Sequence, residues 1–434
     1  MRVRDAFILV IALVLIAPAS GNAQAPASKA SDIIVLFRDG VTAAERERLV
    51  RQSGGVATRH FRNVPASAAR VGASARAFLE RHPDVLSVVP DREVEKLGKP
   101  TSSGSATAGQ VVPAGLMRIG AQPDAVAFTG HGVGVAIVDT GIDFRHGDLA
   151  VAAVCFTAYA ACQDDEGHGT HVAGIVAAAN NDIDVVGVAP GATLYAVKVL
   201  DRRGRGSDST IMAGLDWIAD HATQVTPAIR VVNMSLGRRG TLDDNPALRA
   251  SVQAVVLAGI TVVVAAGNDS TLQVRDQVPA TYPAVIAVAS TTATAGSSAC
   301  GGHPSPVSGD TASSFTTDGA FDSLTGIGVS VSAPGEDHED INRSCFLRSV
   351  GILSTRLGGG TVRMSGTSMA APHVTGVVTL MAEQSAVTPD DARRRLRLGA
   401  DGASVAPLDS PAGGYSFDGD REGVVWAPGA LSAP

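Results

Sequence analysis

Asp139, His168 and Ser368 are a carboxylate, an imidazole and a hydroxyl, three groups that together can activate a weak oxygen nucleophile. An imidazole that can reach a hydroxyl can take its proton. Asp139 closes the apolar run GVGVAIVD. His168 stands between Gly167 and Gly169 in DDEGHGTHVAGIVAA, where the glycines leave an imidazole open to approach. Ser368 lies in RMSGTSMAAPHVTG, where a Gly/Ser/Thr turn passes into a helical run. A helix start offers free N–H groups and the positive end of a dipole, which suits a hydroxyl whose attack creates an oxyanion. Asn268, at the end of VVVAAGN, can donate its amide N–H to the same oxyanion. Each residue also has a plainer role, since Ser caps helices and Asp and Asn close turns. His171 and His373 fall inside helical runs and read as packing residues, and Asp143 as a loop carboxylate.

Groups so far apart in the chain need a common frame. Beyond Gln110, the stretches GVGVAIVDTG, TLYAVKVLD, IRVVNMSLG, GITVVVAAGN and AVIAVAS are near-continuous Val/Ile/Ala runs, as in parallel strands covered on both faces. THVAGIVAAAN, DSTIMAGLDWIADHA and NPALRASVQAVVLAG alternate with them as helices. The expected class is α/β, a mostly parallel sheet flanked by helices, with sites at the carboxyl ends of the strands. Upstream lies a smaller unit. DIIVLFRDG reads as a strand and TAAERERLVRQSGG as a helix capped by Thr42, with Glu45 three residues on. VATRHF, ASARAFLERH and VLSVVPDREVEKL then read as strand, helix and strand, and GKPTSSGSATAG as a linker that is easy to cleave.

The chain has 434 residues, 45% of them apolar, enough for more than one core. Pro26–Leu97 carries twelve Lys/Arg against nine Asp/Glu, whereas the chain from Gly109 onward carries 20 against 32. An acidic main domain argues against a nucleic-acid partner. Residues 1–23 read as a signal peptide, with Arg2 and Arg4 before the apolar AFILVIALVLIA, a run too short to span a membrane. An exported chain with four cysteines is expected to hold two disulfides. Four cysteines permit three pairings. The seven-residue step favours Cys155–Cys162, leaving Cys300–Cys345.

In that order, VDTGID, GHGTHVAG, AAGN and GTSMAAPHV resemble the four signature blocks of the subtilisin-like (subtilase, peptidase S8) serine proteases, whose triad runs Asp, His, Ser along the chain. The resemblance extends from about Gln110 to at least Leu396. Residues 32–97 more loosely resemble the family's inhibitory propeptide, an α+β domain of ferredoxin-like fold. It implies that Ser368 attacks the scissile carbonyl, His168 shuttles the proton, Asp139 orients His168 and Asn268 binds the oxyanion. Ser235, Leu236 and Gly237, with Ala265, Ala266 and Gly267, would flank the pocket for the side chain before the cut. Gly204 and Gly206 would pair with the extended peptide as an added strand. A structural Ca²⁺ is implied on Gln110, Asp148 and Asn181 and on the carbonyls of Ala179, Ile183 and Val185, hard oxygen ligands that suit this cation. No organic cofactor is expected.

The implied organisation is a signal peptide (1–23), a propeptide (24–97), a linker (98–108) with the maturation site near Gly109, and a catalytic domain (109–434). The expected product is a secreted, monomeric serine endopeptidase acting on proteins and peptides, with its own propeptide as intramolecular inhibitor. One departure bears on specificity. DSTLQVRDQVPATYP is shorter than the corresponding family loop, so Asp269 or Asp276 would either make the pocket acidic, favouring a basic residue before the cut, or stay solvated. Two alternatives are a catalytically silent binding protein of the same fold and a serine esterase. The second predicts a G-x-S-x-G elbow, where this chain has G-T-S-M-A.

Overall fold

The computed structural model describes residues 30–102, 109–301, 305–412 and 418–434, so the expected signal segment 1–23 lies outside the described residues. The chain begins with β1 (Ser31–Phe37), α1 (Ala43–Gln52), β2 (Val56–His60), β3 (Ala66–Val71), α2 (Ala73–Arg81) and β4 (Val85–Pro90). These form an antiparallel sheet of order β2-β3-β1-β4 whose one face closes on α1 and α2 through Ile33, Val35, Phe37, Leu49, Val50 and Leu79. Thr42 and Glu45 make the expected reciprocal cap of α1. β3 is a strand that the pattern ASAARV does not announce. It forms because Ala66 and Ala68 are small enough to bury against a second body.

That body starts after β5 (Glu93–Lys96) and β6 (Lys99–Pro100) with α3 (Ala114–Arg118), β7 (Gly134–Asp139), β8 (Phe156–Thr157), α4 (His168–Ala177), β9 (Thr193–Lys198), β10 (Arg205–Ser207) and α5 (Asp208–His221). It continues through β11 (Ile229–Met234), β12 (Leu236–Arg239), α6 (Pro246–Leu257), β13 (Thr261–Ala265), β14 (Gln277–Val278) and β15 (Ile286–Thr292). It ends with β16 (Val329–Ile341), β17 (Leu347–Thr355), β18 (Thr361–Ser365), α7 (Thr367–Gln384), α8 (Pro389–Ala403) and α9 (Ala427–Ser432). The main sheet has the order β6-β18-β17-β16-β15-β13-β11-β7-β9-β8. It is parallel from β16 to β8 and antiparallel over β16-β17-β18-β6. β7 and β13 are buried along their whole length, as Val/Ile-rich strands covered on both faces must be.

Two disulfides, Cys155–Cys162 and Cys300–Cys345, tie loops outside the sheet. Lys198, at the end of β9, is buried and donates to the carbonyls of Thr140 and Leu200 and to Asp165. The N-terminal sheet lays its other face, with Ile34, Ala66 and Ala68, on α5 and α6, in one cluster with Ile211, Leu215 and Leu248. Polar contacts border it. Asp216 accepts the backbone N–H groups of Arg62 and Asn63, and Arg92 reaches Asp244 at 2.7 Å. Asp91 accepts from Ser209 N at 2.9 Å, placing a carboxylate at the start of α5 where the helix dipole favours it. Among the described residues no helix is long and apolar enough to cross a membrane.

Candidate active site

Asp139 is the last residue of β7, and its Oδ1 accepts the Thr140 N–H at 2.7 Å. His168 opens α4 after Gly167, whose φ of 109° is a left-handed conformation that glycine adopts without penalty. His168 Nδ1 stands 2.8 and 3.0 Å from the two Asp139 oxygens, with both side chains fully buried. A carboxylate only accepts, so this pairing puts the proton on Nδ1 and leaves Nε2 free to take one. Nε2 has no hydrogen-bond partner.

Asp164, which sequence reasoning did not single out, ties the turn before α4 to the end of β7. It accepts from Thr140 Oγ1 at 2.9 Å, from the N–H groups of Gly167 and Glu166, and from Thr170. Burial pushes its carboxyl upward against the pull of these donors. His171 donates to the carbonyls of Ile352 and Val362, and burial takes its pKa down to about 3. His373 donates to Met369 O, and burial lowers it to about 4. Both stay neutral packing residues at ordinary pH, as their helical positions suggested.

Ser368 is the second residue of α7. Gly366 occupies the N-cap, so Ser368 does not cap the helix. A Cβ on Gly366 would overlap the Leu97 carbonyl oxygen, which explains glycine there. Ser368 Oγ donates to Ser235 O at 3.0 Å, and a change of rotamer is needed to turn it toward His168. The Asn268 amide has a fixed direction. Its Oδ1 accepts from Thr367 N and Thr367 Oγ1, both at 2.9 Å, which leaves Nδ2 facing the cleft.

The cleft is filled by the chain itself. β5 is an inner strand of a second sheet, β10-β5-β12-β14, with Val94 opposite Gly206 and with Lys96 and Glu95 opposite Leu236 and Gly237. Lys96 N donates to Gly204 O at 3.0 Å and Leu97 N to Ser235 O at 3.2 Å. The Leu97 carbonyl oxygen then receives two donors, Asn268 Nδ2 at 2.7 Å and Ser368 N at 3.2 Å. Gly98 follows, so close to the imidazole that an added Cβ would stand 2.8 Å from His168 Nε2. Beyond it, Lys99 and Pro100 pair with Ser365 and Met364, extending the main sheet by β6. The bond lying across Ser368 and His168 is therefore Leu97–Gly98, eleven residues before the expected maturation point near Gly109; residues 103–108 lie outside the described residues. Among the remaining expected site residues, Ala265 ends β13, Ala266 just after it donates to Val288 O, and Gly267 bonds to Thr317 and Thr367. Asp269 faces Arg239 at 3.3 Å, while the Leu97 side chain lies against Gly237.

The six residues expected to hold a cation come together at the carboxyl end of α4. Gln110 Nε2 lies 2.7, 3.1 and 3.4 Å from the carbonyls of Ala179, Val185 and Ile183. Asp148 Oδ2 accepts Val185 N at 3.2 Å, and Asn181 bonds to the same carboxylate. Asp148 Oδ1 is buried without a partner, and burial raises this carboxyl to about 6. Three converging carbonyls and an orphaned carboxylate oxygen fit a hard cation, and turning the Gln110 amide over would put its Oε1 where Nε2 now donates. With one acidic residue, the set forms no cluster of three or more His, Cys, Asp or Glu, and none occurs among the described residues.

Residues 130–413 match the model of the subtilase family. Over 371 residues the chain is 33% identical to subtilisin E of Bacillus subtilis, covering 83% of each chain. It is 37% identical over 278 residues to the subtilisin of Bacillus pumilus, covering 63% of this chain and 85% of that one. Among solved structures, fervidolysin from Fervidobacterium pennivorans, a keratinolytic enzyme related to subtilisin, superposes with a TM-score of 0.67 at 24% identity. That match covers 95% of this chain and 62% of fervidolysin, and at 24% identity it supports the fold alone. The chain belongs to the subtilase family and is a serine endopeptidase.

Proposed function

We propose that this endopeptidase is made as an exported pre-pro-enzyme that cuts its own Leu97–Gly98 bond with Asp139, His168 and Ser368 as its triad. The observation that carries this reading is the Leu97 carbonyl, held by Asn268 Nδ2 and Ser368 N beside an imidazole with a free Nε2. Ser368 Oγ leaves Ser235 O, gives its proton to His168 Nε2 and attacks the Leu97 carbonyl carbon. The oxyanion gains charge-assisted bonds from the two donors already on that oxygen. His168 hands the proton to the Gly98 nitrogen as the C–N bond breaks. A water activated by His168 then releases the Leu97 acid from Ser368. Other proteins and peptides would enter as β5 does, between β10 and β12.

Residues 24–97 act as an inhibitory propeptide, supported by the sheet seated on α5 and α6 and by β5 in the cleft. Residues 1–23 direct export, a reading supported by their charged and apolar parts and by two disulfides suited to an oxidising compartment. Mass and N-terminal sequencing of the matured protein test the cut: the catalytic fragment is expected to begin at Gly98. A first cut elsewhere would overturn the assignment. Asn268→Ala is expected to slow this cut and peptide hydrolysis alike by about 10²–10³, the scale known from subtilisin's own oxyanion donor.

Ca²⁺ would be held by Gln110, Asp148, Asn181 and the carbonyls of Ala179, Ile183 and Val185, where it would add positive charge that joins the chain near Gln110 to the loop after α4. Chelation should lower the melting temperature and added Ca²⁺ restore it, with about 3 kcal/mol at stake at a hundredfold excess over Kd. Asp148→Ala should erase the difference between the two conditions. Equal melting with and without chelator in the unmodified protein would remove the site.

A further inference from the structure

Lys96 is the residue just before the one whose carbonyl lies on Asn268 and Ser368. Its backbone is fixed on both sides, by Gly204 O and by Leu236 of β12. Its stem lies along Gly204, where an added Cβ would stand 2.7 Å from the Lys96 Cδ, so that glycine makes the room the side chain uses. At the end of that stem, Nζ meets Glu166 Oε1. The pair is largely withdrawn from water, with 17% and 16% of the two side chains exposed. Glu166 is held ready for a cation. Its Oε2 accepts the His168 N–H at 3.0 Å, and its own N–H donates to Asp164 Oδ1 at 3.0 Å.

We propose that Glu166 is a specificity residue: it makes the cleft select lysine or arginine immediately before the residue that carries the scissile carbonyl. The inference rests on the proposed reading of the cleft and adds to it the charge of the preferred substrate. Leu97 itself sets no such charge, and Asp269, one of the two carboxylates the sequence offered for its pocket, faces Arg239. The chain's own cut sequence, Val94-Glu95-Lys96-Leu97 before Gly98, would then be a strong substrate that blocks the cleft until it is cut. Leaving a neutral side chain there would strip a pinned, largely desolvated carboxylate of its partner.

The test uses the matured enzyme and quenched peptides copied from residues 92–101, with Lys, norleucine or Glu at the position of Lys96. The Lys peptide is expected to exceed norleucine by about tenfold in kcat/KM, between the few-fold of an exposed pair and the larger effect of a buried one, with the Glu peptide lowest. The ratio should shrink in high salt. Glu166→Gln should bring Lys and norleucine together, and Glu166→Arg should favour the Glu peptide. Because Glu166 also touches the His168 backbone, the readout is the ratio between peptides, which a general loss of activity does not move. Equal cleavage of the Lys and norleucine peptides by the unmodified enzyme would overturn the proposal, whether or not the variants mature. Cleavage of none of the peptides would remove the proposed protease site as well.

Discussion

Ser368→Ala is expected to leave the chain whole, with Leu97 and Gly98 still joined, and to lose peptide hydrolysis by about 10⁶-fold, the loss that subtilisin shows when its own nucleophile is removed. Both readouts follow from one atom. Everything else around the Leu97 carbonyl stays: Asn268 Nδ2 and the backbone N–H at position 368 remain within reach, and β5 remains paired on both sides. Removing the hydroxyl deletes a hydrogen bond to Ser235 O but opens only a small space in α7. The variant should therefore fold and hold its N-terminal domain in place. Intact mass separates the outcomes. An uncut chain supports the assignment, whereas processing at the normal rate in a purified sample would end it.

Asp139→Asn should cost about 10⁴-fold in kcat, the scale seen for the matching change in trypsin, while melting stays within a few degrees. The side chain keeps its shape, but an amide nitrogen facing His168 Nδ1 becomes a donor. The imidazole must then accept there and carry its proton on Nε2, so it no longer takes one from Ser368. The 2.8 and 3.0 Å contacts make the tautomer depend on this one carboxylate. A loss of tenfold or less would mean that Asp139 only packs against the histidine. A large fall in melting temperature would place the effect in the buried network of Thr140 and Asp164 instead.

The parts legible in the sequence were those set by local pattern. Valine-rich runs announced the parallel strands, Thr42 and Glu45 announced the start of α1, and short blocks around Asp139, His168, Asn268 and Ser368 marked the cleft. What stayed hidden depends on contacts between distant segments. β3 carries no alternating pattern because it buries alanines on both faces, one of them against α5 and α6. The seat of Leu97 is decided by β10 and β12, more than a hundred residues downstream, and REVEKLGKP by itself reads as a strand end and a linker. Glu166 is a plain loop carboxylate until Lys96 is laid beside it. The one available hint was its place two residues before His168.

Lys198 has a practical consequence for handling the enzyme. The sequence holds four lysines, at positions 29, 96, 99 and 198, and a cut after Leu97 leaves two in the larger fragment. Lys198 is buried under Thr140, Asp165 and Leu200, whereas Lys99 is exposed and next to the new terminal amine of Gly98. Amine-directed coupling at neutral pH would then attach label or solid support through a single corner of the molecule. A preparation immobilised this way would share one orientation, with its anchor on the leaving side of the cleft, so loss of turnover on longer substrates but not on short ones would report how close that corner stands to the path of the product.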